Sequence, residues 1–202
     1  MLAVEHDINS LLEGCLENNR KAQEGLYRHY KAVAEAVDMP VVLYNIPGRT
    51  GVNMLPTTVA RLAVMKNIVG IKKGSGSVQQ ASEIAQTCGD RLTVLSGDDP
   101  LTLPMMAVGA KGVITVTANV MPKEMAQLVA SFQAGRIDEA RRIHFALSAL
   151  FAALFYETNP IPVKEALGMM GKIDPELRLP LCAMSADNRT QLTRVLKEMR
   201  LV

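Results

Sequence analysis

Four short apolar runs punctuate the middle of the chain, and the residues between them repeat at helical spacing. The runs are Val41-Val42-Leu43-Tyr44-Asn45-Ile46, Ile68-Val69-Gly70-Ile71-Lys72-Lys73, Leu92-Thr93-Val94-Leu95-Ser96 and Gly112-Val113-Ile114-Thr115-Val116-Thr117. Each is rich in β-branched residues and bounded by turn formers, the pattern of a buried strand. From residue 23 on, Leu26, Tyr30, Val33, Ala34 and Val37 mark a helix before the first strand. A second helix is predicted over 56–65, with Pro56 suited to its first turn. Ser77 and Gln80 have the spacing of a capping box, opening a helix that stops near Gly89. A short helix over 100–108 and a longer one over 122–133, closed by Gly135, complete the alternation.

Strand and helix alternate four times, which is the signature of parallel βα units with covered faces. Beyond residue 136 only helical spacing remains, over 138–155, 162–170 and 187–199. In the first of these, Ile143, Leu147, Leu150 and Leu154 form one stripe. The first 20 residues hold two apolar clusters without strand-like alternation and read as a weak helix. Three regions are therefore expected: an atypical segment over 1–22, βα units over 23–135, and a helical region over 136–202. Four units are too few to close an eight-stranded barrel. An open sheet would leave edges and an apolar face uncovered unless something packs there.

Composition narrows the picture. With 202 residues, 49% hydrophobic and 21% charged, the chain suits a globular domain with a sizeable core. A net charge of +2 gives no strong field for nucleic acid or a membrane surface. Aromatics are only 4%, so base-stacking platforms are not expected. No apolar stretch reaches the roughly 18 residues of a membrane span. The acidic start lacks the basic region of a signal peptide. Cys15, Cys88 and Cys182 are few, odd in number and far apart, which suits reduced thiols in a cytoplasmic compartment.

The chemistry gathers at strand ends. Lys72 and Tyr44 close two successive strands, and parallel strands would aim both at one mouth. An amine beside a phenol in an apolar cup suits imine formation on a keto acid. Burial would disfavour the ammonium and free the lone pair. Most lysines at strand ends are simply solvated, and Lys73 competes for the role, since alternate residues face opposite ways. A buried tyrosine ordinarily just finds a hydrogen-bond partner; as a relay, Tyr44 would carry protons. Arg49, in the turn after the first strand, is either a solvated charge or a fork for a substrate carboxylate. Amides of Gly74-Ser75-Gly76-Ser77 could hold an anion, although the segment lacks a nucleotide-loop fingerprint. Asp98-Asp99 reads as a turn and helix cap rather than a metal pair. His6, His29 and His144 are dispersed, so no metal cluster or Ser-His triad is visible, and His144 reads as a surface or packing residue.

Together these motifs resemble one family. Tyr44-Asn45-Ile46-Pro47-Gly48-Arg49-Thr50-Gly51, Gly70-Ile71-Lys72, Leu95-Ser96-Gly97-Asp98-Asp99, Gly112-Val113-Ile114-Thr115-Val116-Thr117-Ala118-Asn119 and Asn159-Pro160-Ile161-Pro162-Val163-Lys164 are similar to the dihydrodipicolinate synthase/N-acetylneuraminate lyase family. The likeness runs from about Gln23 to the C-terminus. It implies an α/β fold of the (β/α)8 TIM-barrel type, here incomplete, with a C-terminal helical extension. It implies a lyase that forms a Schiff base with pyruvate, which selects Lys72 over Lys73. Tyr44 would donate and accept protons, Arg49 would receive the carboxylate of aspartate semialdehyde, and Ile114 would line the pyruvate pocket. The implied product is 4-hydroxy-tetrahydrodipicolinate, on the route to diaminopimelate and lysine. No cofactor or metal is implied, and a homo-oligomer, a tetramer of two tight dimers, is expected.

The sequence also departs from the family. The first barrel strands and the paired threonines near the end of the second strand have no counterpart, and Asn18 stands where a relay tyrosine would be. Two readings follow besides the synthase itself. One is a catalytically silent truncated homologue that packs on another chain; the other is a related pyruvate aldolase, against which Arg49 speaks. A partial barrel is expected to expose the inner ends of the 41–46 and 112–117 strands.

Overall fold

The computed structural model describes the backbone of residues 2–202 and the side chains of residues 19–202. The expectations for His6, Cys15 and Asn18 fall outside the described side chains. The chain divides into two compact units. The first holds the chain up to Leu95 together with Val108–Lys111. It contains α1 (Leu2–Ala36), β1 (Val41–Asn45), the single turn α2 (Pro47–Thr50), α3 (Pro56–Leu62), β2 (Ile68–Lys73), α4 (Val78–Cys88) and β3 (Thr93–Ser96), whose last residue belongs to the second unit. The helix expected before β1 and the weak helix of the first 20 residues are one continuous helix.

The strands lie in sequence order, β1 beside β2 and β2 beside β3. β1 and β2 run parallel, with one slip in register: Val41 faces Ile68, Val42 faces Gly70, and from there Tyr44 faces Lys72 and Asn45 faces Lys73. Gly70 matters to this packing, because a Cβ there would stand 3.0 Å from the Thr93 carbonyl oxygen. The two faces of the strands differ. Leu43, Ile71, Ile68 and Val94 are buried with Val59 and Leu62 of α3 and Ala81, Ile84 and Cys88 of α4. Burying each large side chain stabilises the fold by roughly 1.5–3 kcal/mol. Val42 and Tyr44, on the other face of β1, stay 45% and 39% exposed. This is the exposure expected for the inner side of a partial barrel.

α1 docks through polar contacts as well. Arg61 of α3 pairs with Glu24 at 2.9 Å and lies 3.9 Å over the Tyr27 ring. Asn67 donates to the carbonyls of Ala34 and Val37 at 2.7 and 3.1 Å, satisfying groups that a helix end leaves open.

The second unit holds Ser96–Ala107 and Gly112–Val202. It contains α5 (Thr102–Ala107), β4 (Gly112–Val113), α6 (Pro122–Gln133), α7 (Ile137–Ala153), α8 (Ile161–Met169) and α9 (Ala186–Glu198). Gly135 takes φ +74 just after α6, as the sequence suggests for a helix stop. All four stripe residues, Ile143, Leu147 and Leu150 of α7 and Leu154 just after it, are buried. His144 packs between Phe145 and Phe151 with ring centroids 5.5 and 5.6 Å away, and burial pulls its pKa down.

One strand is shorter than the sequence suggests. β4 ends at Val113, and the chain enters a 3-10 turn over Thr117–Asn119. Ile114, Val116 and the threonines favour a strand by side-chain shape alone. Their hydroxyls decide otherwise: Thr117 donates to Asp99 from its backbone N at 2.7 Å and from Oγ1 at 2.6 Å, and Thr115 Oγ1 accepts from Ala118 N. The Asp98-Asp99 pair is therefore not a side-chain helix cap. Asp99 is buried and reaches eighteen residues on to Thr117, while burial, aided by the neighbouring Asp99 charge, pushes the Asp98 pKa up. Cys88 and Cys182 are free thiols. No helix among the described residues is long and apolar enough to cross a membrane.

Candidate active site

Tyr44 and Lys72 are register partners at the ends of β1 and β2. Lys72 is half-buried, and its Nζ stands 4.3 Å from the centroid of the Tyr44 ring. The pair that the sequence placed at one mouth is therefore in contact. Tyr44 is more exposed than its apolar run suggests, because its face of β1 lacks the helical cover of the other face. Gly74 leaves room for the phenol. A Cβ there would stand 3.1 Å from Tyr44 Cε2 and 3.6 Å from its hydroxyl oxygen.

Lys73 occupies the opposite face. It is fully buried and donates to Gln80 Oε1 of α4. Gln80 is thus diverted from the capping box, of which only one half forms: Ser77 Oγ accepts from Gln80 N at 3.1 Å. Ser77 N donates instead to Ser75 Oγ, and Gly74 N donates to the Asn45 carbonyl at 2.9 Å. Two amides of the segment considered for anion binding, those of Gly74 and Ser77, are therefore already bonded within the protein.

Burial in this helix-covered layer pulls the Lys73 pKa down to about 8, against a smaller opposing pull from Glu83. The folded state then holds fewer protons than the unfolded chain between about pH 8 and the ordinary lysine value of 10.5. Stability rises with pH across that window and is lost again as pH falls through 8. A Lys73→Met variant is expected to be more stable than the parent at pH 7. The gap should close by roughly 2–3 kcal/mol as pH climbs to 10.5, read from urea midpoints in parallel series. A gap independent of pH would show that Lys73 does not feel the burial.

Arg49 sits in α2, and this short turn is fixed by its own backbone. Ile46 O accepts from Arg49 N at 3.0 Å and from Thr50 N at 3.2 Å, and Gly51, at φ +70, closes the turn onto Pro47 O at 2.9 Å. The loop carrying Arg49 returns to β1 through Asn45. Its side chain is buried and bonds to Asn53 and Met54. Gln23 of α1, also buried, grips Asn53, Leu55 and Thr58. Reading the sequence for reactive groups passed over both carboxamides. Their signal was present: a side-chain amide on the buried parity of a strand or helix must find partners. Ile114 lies in the second unit, 42% exposed, with its N–H donating to Ser96 O at 2.8 Å.

Parallel strands joined by helices, with a lysine and a tyrosine at adjacent strand ends, define an α/β protein of the βα-repeat class. Residues 18–199 match the Dihydrodipicolinate synthetase family, and the chain belongs to that family. It is 60% identical over 184 residues to the 4-hydroxy-tetrahydrodipicolinate synthase of Geobacter sulfurreducens, a match covering 91% of this chain and 63% of the relative. Among solved structures, the dihydrodipicolinate synthase of Aquifex aeolicus superposes with TM-score 0.87 at 49% identity, covering 89% of this chain and 61% of that one. The chloride-inhibited Acinetobacter baumannii dihydrodipicolinate synthase complexed with pyruvate gives 0.86 at 44% identity, covering 89% and 62%. The α/β fold is therefore that of the dihydrodipicolinate synthase TIM barrel, over the part this chain holds. The chain spans about 63% of the length of the curated relatives it matches.

Proposed function

We propose that this chain carries the Schiff-base half-site of a 4-hydroxy-tetrahydrodipicolinate synthase, a lyase of lysine and diaminopimelate biosynthesis. The contact between Lys72 Nζ and the Tyr44 ring is the observation that carries this reading. Lys72, as the neutral amine, attacks the ketone carbon of pyruvate. The carbinolamine loses water to give the imine, and loss of a methyl proton gives the enamine. The enamine carbon adds to the aldehyde of aspartate semialdehyde. The amino group of that substrate then attacks the imine carbon, closes the ring and releases Lys72. Tyr44 moves the protons that these steps exchange at the carbonyl and hydroxyl oxygens. Arg49 receives the carboxylate of the aldehyde substrate through two parallel hydrogen bonds, and Ile114 lines the pyruvate side. The setting is cytoplasmic, and the working form is a homo-oligomer.

A second reading has its own support. The exposed face bearing Val42 and Tyr44 and the 63% coverage of the relatives suit a catalytically silent homologue that packs on another chain. Incubation with pyruvate and aspartate semialdehyde separates the two. The synthase reading expects the product mass to appear only with both substrates. Absence of product, with a single copy of the chain found in a larger complex by light scattering, supports the silent reading.

A further inference from the structure

We infer that Asn45 is a positioning residue that holds the Arg49 loop in place, with Gln23 as its second fastening; this rests on the role proposed for Arg49. Four successive backbone groups close the base of that loop: Asn53 O, Met54 N, Met54 O and Leu55 N. Two side-chain amides take all four. Asn45 Oδ1 accepts from Met54 N at 3.0 Å, and its Nδ2 donates to Met54 O at 3.3 Å and to Asn53 Oδ1 at 2.8 Å. Gln23 Nε2 donates to Asn53 O at 2.7 Å, and its Oε1 accepts from Leu55 N at 3.0 Å and Thr58 Oγ1 at 2.7 Å.

The fastening is specific. Asn45 follows Tyr44 directly, so the residue that clamps the loop is covalently tied to the phenol. The Asn45 backbone adds a third tie, because its carbonyl accepts from Gly74 N in the turn after Lys72. Both ends of the loop thus meet at one side chain, and the turn between them is held by its own hydrogen bonds. The distance from Arg49 to the Lys72–Tyr44 pair is set by uncharged amides, and the clamp does not change with pH. An aspartate at 45 could not substitute. It would keep the bond from Met54 N but turn a second acceptor toward Met54 O and Asn53 Oδ1.

Amide exchange by NMR on the full chain tests this, comparing the parent with Asn45→Ala and with Leu43→Ala, a core truncation on the same strand. Asn45→Ala is expected to speed exchange about tenfold or more from Arg49 to Met54, while Leu43 and Ile71 keep their protection. Leu43→Ala is expected to loosen all of these together. Uniform loosening in Asn45→Ala, or none, overturns the inference. If Asn45→Ala does not fold, Gln23→Ala is read by the same criterion, since it frees Asn53 O and Leu55 N from the other side. In turnover, Asn45→Ala is expected to leave pyruvate trapping at Lys72 intact and to raise KM for the aldehyde substrate about 10–100-fold. An unchanged KM also overturns it. A parent chain that traps no pyruvate refutes the proposed function instead, and the clamp is then decided by exchange alone.

Discussion

Replacing Lys72 with alanine is expected to abolish the pyruvate adduct and to cut turnover on the order of 10⁵–10⁶-fold, the scale of removing a covalent nucleophile. The size of the effect follows from what the amine does. In the proposed mechanism it forms the bond that makes the methyl carbon of pyruvate nucleophilic, and among the described residues only Lys73 is a lysine adjacent in sequence that could replace it. Lys73 cannot take over, since it points into the layer beneath α4 and donates to Gln80. Lys73→Met should therefore keep the adduct, while Lys72→Ala should lose it. The parallel steady-state measurements decide it. Equal losses in the two variants would mean that neither lysine is the nucleophile.

Tyr44→Phe is expected to keep the ring and lose the proton path. The ring holds its place against Gly74 and beside Lys72, so the fold and the side-chain packing should survive. Removing the hydroxyl should lower kcat by about 10²–10⁴-fold, the usual contribution of a positioned acid–base group. Adduct formation with pyruvate should slow without disappearing, because Lys72 remains. Rapid-quench measurement of the adduct, set beside kcat, separates the two effects. A Tyr44→Phe variant with undiminished kcat would remove Tyr44 from the mechanism.

Much of the fold could be read from side-chain shape. The runs at 41–46 and 68–73 are β-branched and bounded by turn formers, and β1 and β2 follow them closely. α6 begins at Pro122 and ends before Gly135, because proline fixes φ for a first turn and glycine tolerates the positive φ that ends a helix. The misreading of β4 came from the same shape rule. Thr115 and Thr117 look like strand residues, but their hydroxyls serve a turn and the distant Asp99, and no local pattern encodes a partner eighteen residues away.

The site was legible only in part. Period-two alternation separates Lys72 from Lys73 but does not say which face is the chemical one; that choice needed the family motif, and the structure then placed Lys72 beside Tyr44. Gln80 shows the converse. Its spacing from Ser77 signals a capping box, yet its side chain answers the buried charge of Lys73 instead. The exposure of Tyr44 depends on what covers its face of β1, which the local sequence does not specify.

Borohydride reduction of the chain in the presence of pyruvate, followed by peptide mass mapping, tests the central claim most directly. The expected result is one reduced pyruvate unit, located on Lys72. A unit on Lys73, or no adduct at all, would contradict it.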